Sequence, residues 1–149
     1  MPVNPDYEEL FAKLNAHRCK YLVVGAYAVM HYTEPRFTKD LDVWVEPSPR
    51  NANRVWSALL EYGAPLVGMS PSDLCKTEMV LQVGEVPNRV DIMMAVSGLR
   101  FSVAWRSRVR SRYGRTRISI LGKRDLIRSK RRTGRPQDRL DIQNLQARR

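Results

Sequence analysis

Tyr21-Leu22-Val23-Val24-Gly25-Ala26-Tyr27-Ala28-Val29-Met30-His31-Tyr32 and, three residues further on, Arg36-Phe37-Thr38-Lys39-Asp40-Leu41-Asp42-Val43-Trp44-Val45-Glu46 are the two runs that decide the fold. In the first, four apolar residues stop at Gly25 and a helix-forming run follows, which predicts a short buried strand turning into a helix at a glycine. In the second, acid and apolar residues alternate, which predicts a strand over Asp40 to Glu46. Residues two apart on a strand share a face, so Asp40 and Asp42 project together while Leu41 and Val43 point the other way. Crowding two carboxylates is costly unless a cation bridges them or one is protonated. Oxygen-only ligation selects hard Mg²⁺. A third acid, Asp91, sits in Arg89-Val90-Asp91-Ile92-Met93, another strand-like run that would supply a base or a second-metal ligand if it lay beside the first. The helix after Gly25 would offer free N–H groups and a positive dipole end to a triphosphate there.

Outward from this centre, Asn4-Pro5 caps a helix reaching about His17. Ser48-Pro49 opens another that ends at Gly63, with Val55, Leu59 and Leu60 on one face. Residues Gly63 to Ser72 read as loop. Met79 to Val83 and Arg89 to Val96 read as a hairpin around Gly84-Glu85-Val86-Pro87-Asn88. Phe101 to Arg108 reads as a helix, Arg106 to Arg117 as an Arg/Ser-rich mobile stretch, and Arg117 to Leu121 as a strand. Helices over Lys123 to Arg132 and Pro136 to Ala147 close the chain, separated by Thr133-Gly134. Trp44, Trp56 and Trp105 read as core aromatics, and Tyr113 as a residue able to stack a base. The order is α-β-α-β-α-β-β-α-β-α-α, which predicts one α/β (α+β) domain over residues 1 to 149, a mixed β-sheet flanked by helices with a C-terminal helical pair.

Composition agrees with one folded domain: 149 residues, 43% hydrophobic and 28% charged. The longest uncharged apolar run, Tyr21 to Met30, is half of what a membrane span needs, so no membrane partner is expected. The first residues carry acids and prolines rather than an export signal, and Cys19 and Cys75 form no CxxC, which together point to the cytoplasm. The net charge of +11 is uneven, since residues 100 to 149 hold 17 Lys and Arg against Asp125, Asp138 and Asp141. Such asymmetry favours a polyanionic partner, RNA or a nucleotide first. On the last two helices Lys130, Asp138 and Asp141 fall on apolar stripes and therefore need partners. Either they form an ion-pair cluster with Arg135 across Gly134, or Lys130 meets nucleotide phosphates with Asp138 holding it.

Val24-Gly25-Ala26, Arg36-Phe37-Thr38-Lys39-Asp40-Leu41-Asp42, Pro87-Asn88-Arg89-Val90-Asp91 and Lys130…Gly134-Arg135-Pro136-Gln137-Asp138…Asp141, in this order, resemble small bacterial nucleotidyltransferases of the DNA polymerase beta superfamily, including relatives of AbiEii-type toxins. The resemblance covers nearly the whole chain. It implies a nucleotidyltransferase fold and Mg²⁺-dependent transfer of a nucleoside monophosphate from an NTP to a hydroxyl, on an RNA 3′ end or a protein side chain. It implies Asp40, Asp42 and Asp91 as metal ligands and catalytic residues with Lys130, and nucleotide binding by Gly25, Ala26, Arg36, Thr38, Lys39 and Asp138. It also implies a cognate toxin or antitoxin as a partner. Active members often have Gly-Ser or Gly-Gly at the turn, whereas Ala26 leaves only the backbone donor. The alternative expectation is a catalytically degenerate fold that binds a partner protein or nucleic acid.

Overall fold

The computed structural model describes residues 2–147, so Arg148 and Arg149 of the basic third lie outside the described residues. Strand β1 (Tyr21–Val24) is buried along its whole length, as an apolar run covered on both faces requires. Strand β2 (Asp40–Val45) pairs with it antiparallel, Val24 opposite Asp42. Strands β3 (Val80–Val83) and β4 (Arg89–Met93) form the expected hairpin, and β4 runs parallel to β2 with Asp42 beside Asp91. On the other side β6 (Thr116–Ile120) lies parallel to β1, and β5 (Val109–Tyr113) closes that edge. The mixed sheet has the order β3-β4-β2-β1-β6-β5.

Helix α1 (Pro5–Ala16) starts where the Asn4 side chain accepts N–H bonds from Asp6 and Tyr7, and it buries Tyr7, Leu10, Phe11 and Leu14 at helical spacing. Helix α2 is Gly25–Tyr32, α3 is Pro49–Tyr62 and α4 is Phe101–Arg106. Helix α3 turns Ala52, Val55, Ala58 and Leu59 inward, whereas Leu60, one residue round the helix from Leu59, is 55% exposed rather than on the buried face. A 3₁₀ turn, Pro71–Cys75, starts within the last two residues of the stretch read as loop and buries Leu74 beyond it. Among the described residues no helix is long and apolar enough to cross a membrane.

The Arg/Ser-rich stretch is not a mobile connection. Val109, Ser111 and Tyr113 alternate with exposed Arg110 and Arg112, so β5 has a strand's period of two that the arginine content obscures. Helix α4 accordingly ends at Arg106, and β4 ends at Met93 rather than Val96. Tyr113 does not present its ring for base stacking. It lies 5.6 Å from Phe11 and 6.1 Å from Tyr27, and its hydroxyl accepts the Asn4 N–H at 2.8 Å. Trp44 is a core residue, 1% exposed and edge-on to Phe101, while Trp56 and Trp105 pack half-buried against the core.

Helices α5 (Lys123–Thr133) and α6 (Pro136–Ala147) turn on Gly134, whose φ of 65° is left-handed. The ion-pair cluster between them forms. Lys130 Nζ is 2.9 Å from Asp141 and 3.3 Å from Asp138, and Arg135 Nε is 2.9 Å from Asp138. Arg36, from the link between α2 and β2, donates both Nη groups to Asp141, and Gln137 donates to the same carboxylate at 2.9 Å. Asp141 is fully buried. Burial alone would raise its pKa, but the bonds from Arg36, Lys130 and Gln137 outweigh it and hold the carboxyl below its ordinary value. Asp138 is likewise held low against burial, by Arg135, Thr133 and Lys130.

An acid whose pKa is depressed by folding stabilises the fold above its unfolded pKa of about 4 and loses that contribution as pH falls below it. Asp141→Asn leaves Arg36 without a charge partner and Lys130 with Asp138 alone, and should cost about 3 kcal/mol at pH 7. Urea denaturation checks this, and the gap between variant and parent should narrow below pH 4 as the parent's own carboxyl protonates.

Candidate active site

Two adjacent strands and one turn build the site. β2 contributes Asp40 and Asp42, and the parallel register brings Asp91 of β4 level with Asp42. One oxygen from each of the three carboxylates lies within 4.8 Å of the others. At the end of β1, beside Asp42, Gly25 has φ +66° and opens α2, whose N-terminus has no side-chain cap. A Cβ at residue 25 would stand 2.2 Å from Asp42 Oδ2, so the glycine is required by the carboxylate as well as by the turn.

Three half-buried acids cannot all remain charged at no cost. Burial, then Asp40 and Asp91, push the Asp42 pKa up to about 7, while Arg89 and Lys130 oppose the rise. A divalent cation would remove this repulsion, and the all-carboxylate donor set fits a hard ion such as Mg²⁺. Arg89, which the sequence motif contained without a role, answers part of the charge by pairing with Asp91 and approaching Asp40 to 3.7 Å. Its signal in the sequence was its place two residues before Asp91 on the same strand.

The three carboxylates and Gly25 line one cleft of about 490 Å³, within the usual range for a ligand pocket. Gly25, Asp40, Asp42, Asp91, Lys130 and Asp138 all border it, as do Thr133 and Arg135, which the sequence pointed to only as parts of the helix junction. Arg135 is 73% exposed in its side chain and stands as a cation at the rim. Ala26, Arg36, Thr38 and Lys39 do not border the cleft. Ala26 is the second residue of α2, Arg36 is engaged by Asp141, Thr38 donates its hydroxyl to the Asp40 carbonyl at 3.1 Å, and Lys39 is exposed. A separate apolar cavity of about 210 Å³, lined by Phe11, Tyr27 and Tyr113 among others, contains none of the three acids.

No protein-family model matches the chain, and no curated protein matches it in sequence. Among solved structures, the chain is similar to the lincomycin-bound crystal structure of LnuA, a lincosamide antibiotic adenylyltransferase, with TM-score 0.57 and 16% identity over 99% of each chain. At that identity the likeness is one of fold. The chain has a mixed α/β nucleotidyltransferase fold.

Gly25→Ala should destabilise the protein by roughly 1–3 kcal/mol, through left-handed strain and the contact with Asp42. Repeating the substitution in an Asp42→Gly background removes the contact and leaves only the strain. Equal costs in the two backgrounds, measured by urea denaturation, would show that the carboxylate is not the obstacle.

Proposed function

We propose that the protein is a Mg²⁺-dependent nucleotidyltransferase that moves a nucleoside monophosphate from an NTP to a hydroxyl and releases pyrophosphate. The observation that carries this is the carboxylate triad beside an uncapped helix N-terminus in one cleft of this fold. Asp40, Asp42 and Asp91 would hold the metal. When bound, it supplies Lewis-acid polarisation of the α-phosphate and neutralises charge on the pyrophosphate. Backbone N–H groups at Gly25 and Ala26 would face the triphosphate, an interaction that needs no hydroxyl at residue 26. Arg135 at the rim would meet the leaving phosphates. Lys130, engaged by two buried acids, would add its field from the cleft wall, and Arg36 and Asp138 would hold that wall in place. Asp91 would take up the acceptor's proton as the new P–O bond forms. Thr38 would position the start of β2 through its hydroxyl bond to the Asp40 carbonyl.

For the acceptor we favour RNA. Asp138 and Asp141 of the basic third face inward and are paired, whereas Arg110, Arg112 and Arg117 are exposed on the sheet face that carries the carboxylates, Arg112 directly opposite Arg117. Like charges across a strand pair are destabilising unless an anion comes between them. A groove past Arg108, Arg110, Arg112 and Arg117 reaches Trp105, over which the Arg108 guanidinium lies at 3.9 Å. A protein hydroxyl, or a small hydroxylated molecule such as the lincosamide of LnuA, is a comparison acceptor in the test. The second reading is a binding module without turnover, engaged with a toxin or antitoxin partner, which the Arg89 pair on Asp91 favours.

Asp42→Asn should abolish Mg²⁺-dependent NTP binding by calorimetry, and Asp91→Asn should retain NTP binding while transfer of label from α-labelled NTP falls by roughly a hundredfold or more. Robust transfer by Asp91→Asn would remove its catalytic role, and no transfer by the parent to RNA, protein or lincosamide acceptors would favour the binding module. RNA affinity should fall steeply with salt, and replacing Arg110, Arg112 and Arg117 by Ala should flatten the log–log slope by about 0.7–0.9 for each phosphate no longer neutralised. An unchanged slope places RNA elsewhere.

A further inference from the structure

Arg89 and Asp91 alternate with Val90 and Ile92 along β4, so the two charged side chains share the face of the carboxylate triad while the apolar pair is buried. The parallel register sets Arg89 beside Asp40 as it sets Asp91 beside Asp42. Nε of Arg89 donates to Asp91 Oδ1 and Nη2 to Asp91 Oδ2, each at 3.0 Å. This fork engages both oxygens of the acid. The backbone beneath it is anchored, because the buried Tyr7 donates its hydroxyl to the Arg89 carbonyl at 2.9 Å and to that of Pro87 at 3.1 Å. The side chain is not anchored in the same way. It is 31% exposed, against 13% for Asp91, and among the described residues its ion pairs are to the triad itself.

A divalent ion held by all three carboxylates needs an oxygen of Asp91, and it would bring its charge to within a few ångströms of the guanidinium in a half-buried cleft, where the repulsion is only partly screened. Ion and fork therefore compete for Asp91. We propose that Arg89 is a displaceable counter-cation: it neutralises the triad while no metal is bound, and metal binding releases its guanidinium from Asp91 into the cleft mouth, where it serves as a cation for the triphosphate. This rests on the triad being the metal site proposed above. It explains how three like charges stay together in the metal-free fold without Asp91 being lost from the site. It also makes Arg89 a group that tunes metal affinity, which neither the carboxylate spacing nor the glycine turn would do.

The experiment is a calorimetric titration of the full chain with Mn²⁺, no nucleotide present, for the parent, Arg89→Gln, Arg89→Lys and Asp42→Asn, with Tm measured in EDTA and in Mn²⁺. Lysine keeps the charge but cannot form the fork. Both Arg89 variants should bind Mn²⁺ about three- to tenfold more tightly than the parent. Arg89→Gln should also melt lower than the parent in EDTA and gain more from Mn²⁺. If the parent binds Mn²⁺, Asp42→Asn does not, and neither Arg89 variant binds more tightly, the metal site stands and the counter-cation is overturned. Tighter binding by Arg89→Gln with parental binding by Arg89→Lys would assign the effect to net charge and overturn displacement. Should Arg89→Gln not fold, the lysine variant alone decides. Absence of Mn²⁺ binding by the parent and by both Arg89 variants would remove the metal site and this role with it.

Discussion

Repulsion among Asp40, Asp42 and Asp91 is the constraint around which the structure is arranged. Their nearest oxygens lie within 4.8 Å of one another, on strands whose opposite face is a continuous apolar core through Leu41, Val43, Val90 and Ile92. That core locks the parallel pairing of β2 and β4, because a slip of one residue would carry the apolar side chains out and the acids in. The register that core packing favours is thus the one that concentrates charge. Three neighbours offset the consequence: the Arg89 fork on Asp91, the field of Lys130 across the cleft, and Gly25, whose missing Cβ leaves room for the Asp42 carboxylate.

A second charge cluster closes the other wall of the cleft. Asp138 and Asp141 on α6 and Lys130 on α5 are buried together, with Arg36 and Arg135 reaching in from less buried positions. Removing a partner would leave buried charge less completely compensated, so the cluster acts as a directional lock between the helical pair and the link leading into β2. It thereby sets the distance between the helices and the carboxylates. Two of the three acids of the basic third are consumed in this way, and its exposed surface is left to arginines.

Much of this was legible in the chain. The alternation in Asp40 to Glu46 placed two acids on one face, the apolar run ending at Gly25 placed a helix start beside them, and the stripes of α5 and α6 put Lys130, Asp138 and Asp141 inside. Less legible was β5, where arginines at alternate positions looked like a disordered run although only one face of the strand carries them. Leu60 and Tyr113 were misassigned for related reasons. Hydrophobicity does not say which side of a helix boundary faces the core, and an aromatic among arginines does not show that its ring is already packed against Phe11 and Tyr27.

The sequence by itself determined the element order apart from β5 and the 3₁₀ turn, the fold class and the two carboxylates that share a pleat, because these follow from periods of two and 3.6 residues and from glycine's freedom at positive φ. Tertiary structure alone decided the rest. Asp91 joins the other acids only through the register of β4 against β2, a contact between strands 49 residues apart. Arg36, an expected phosphate ligand, is drawn to Asp141 105 residues away, and Arg89 takes a place that no local pattern assigned to it. Local periodicity gives the direction of a side chain relative to its own backbone, whereas its charge partner is chosen by which elements pack together and how deeply they exclude water.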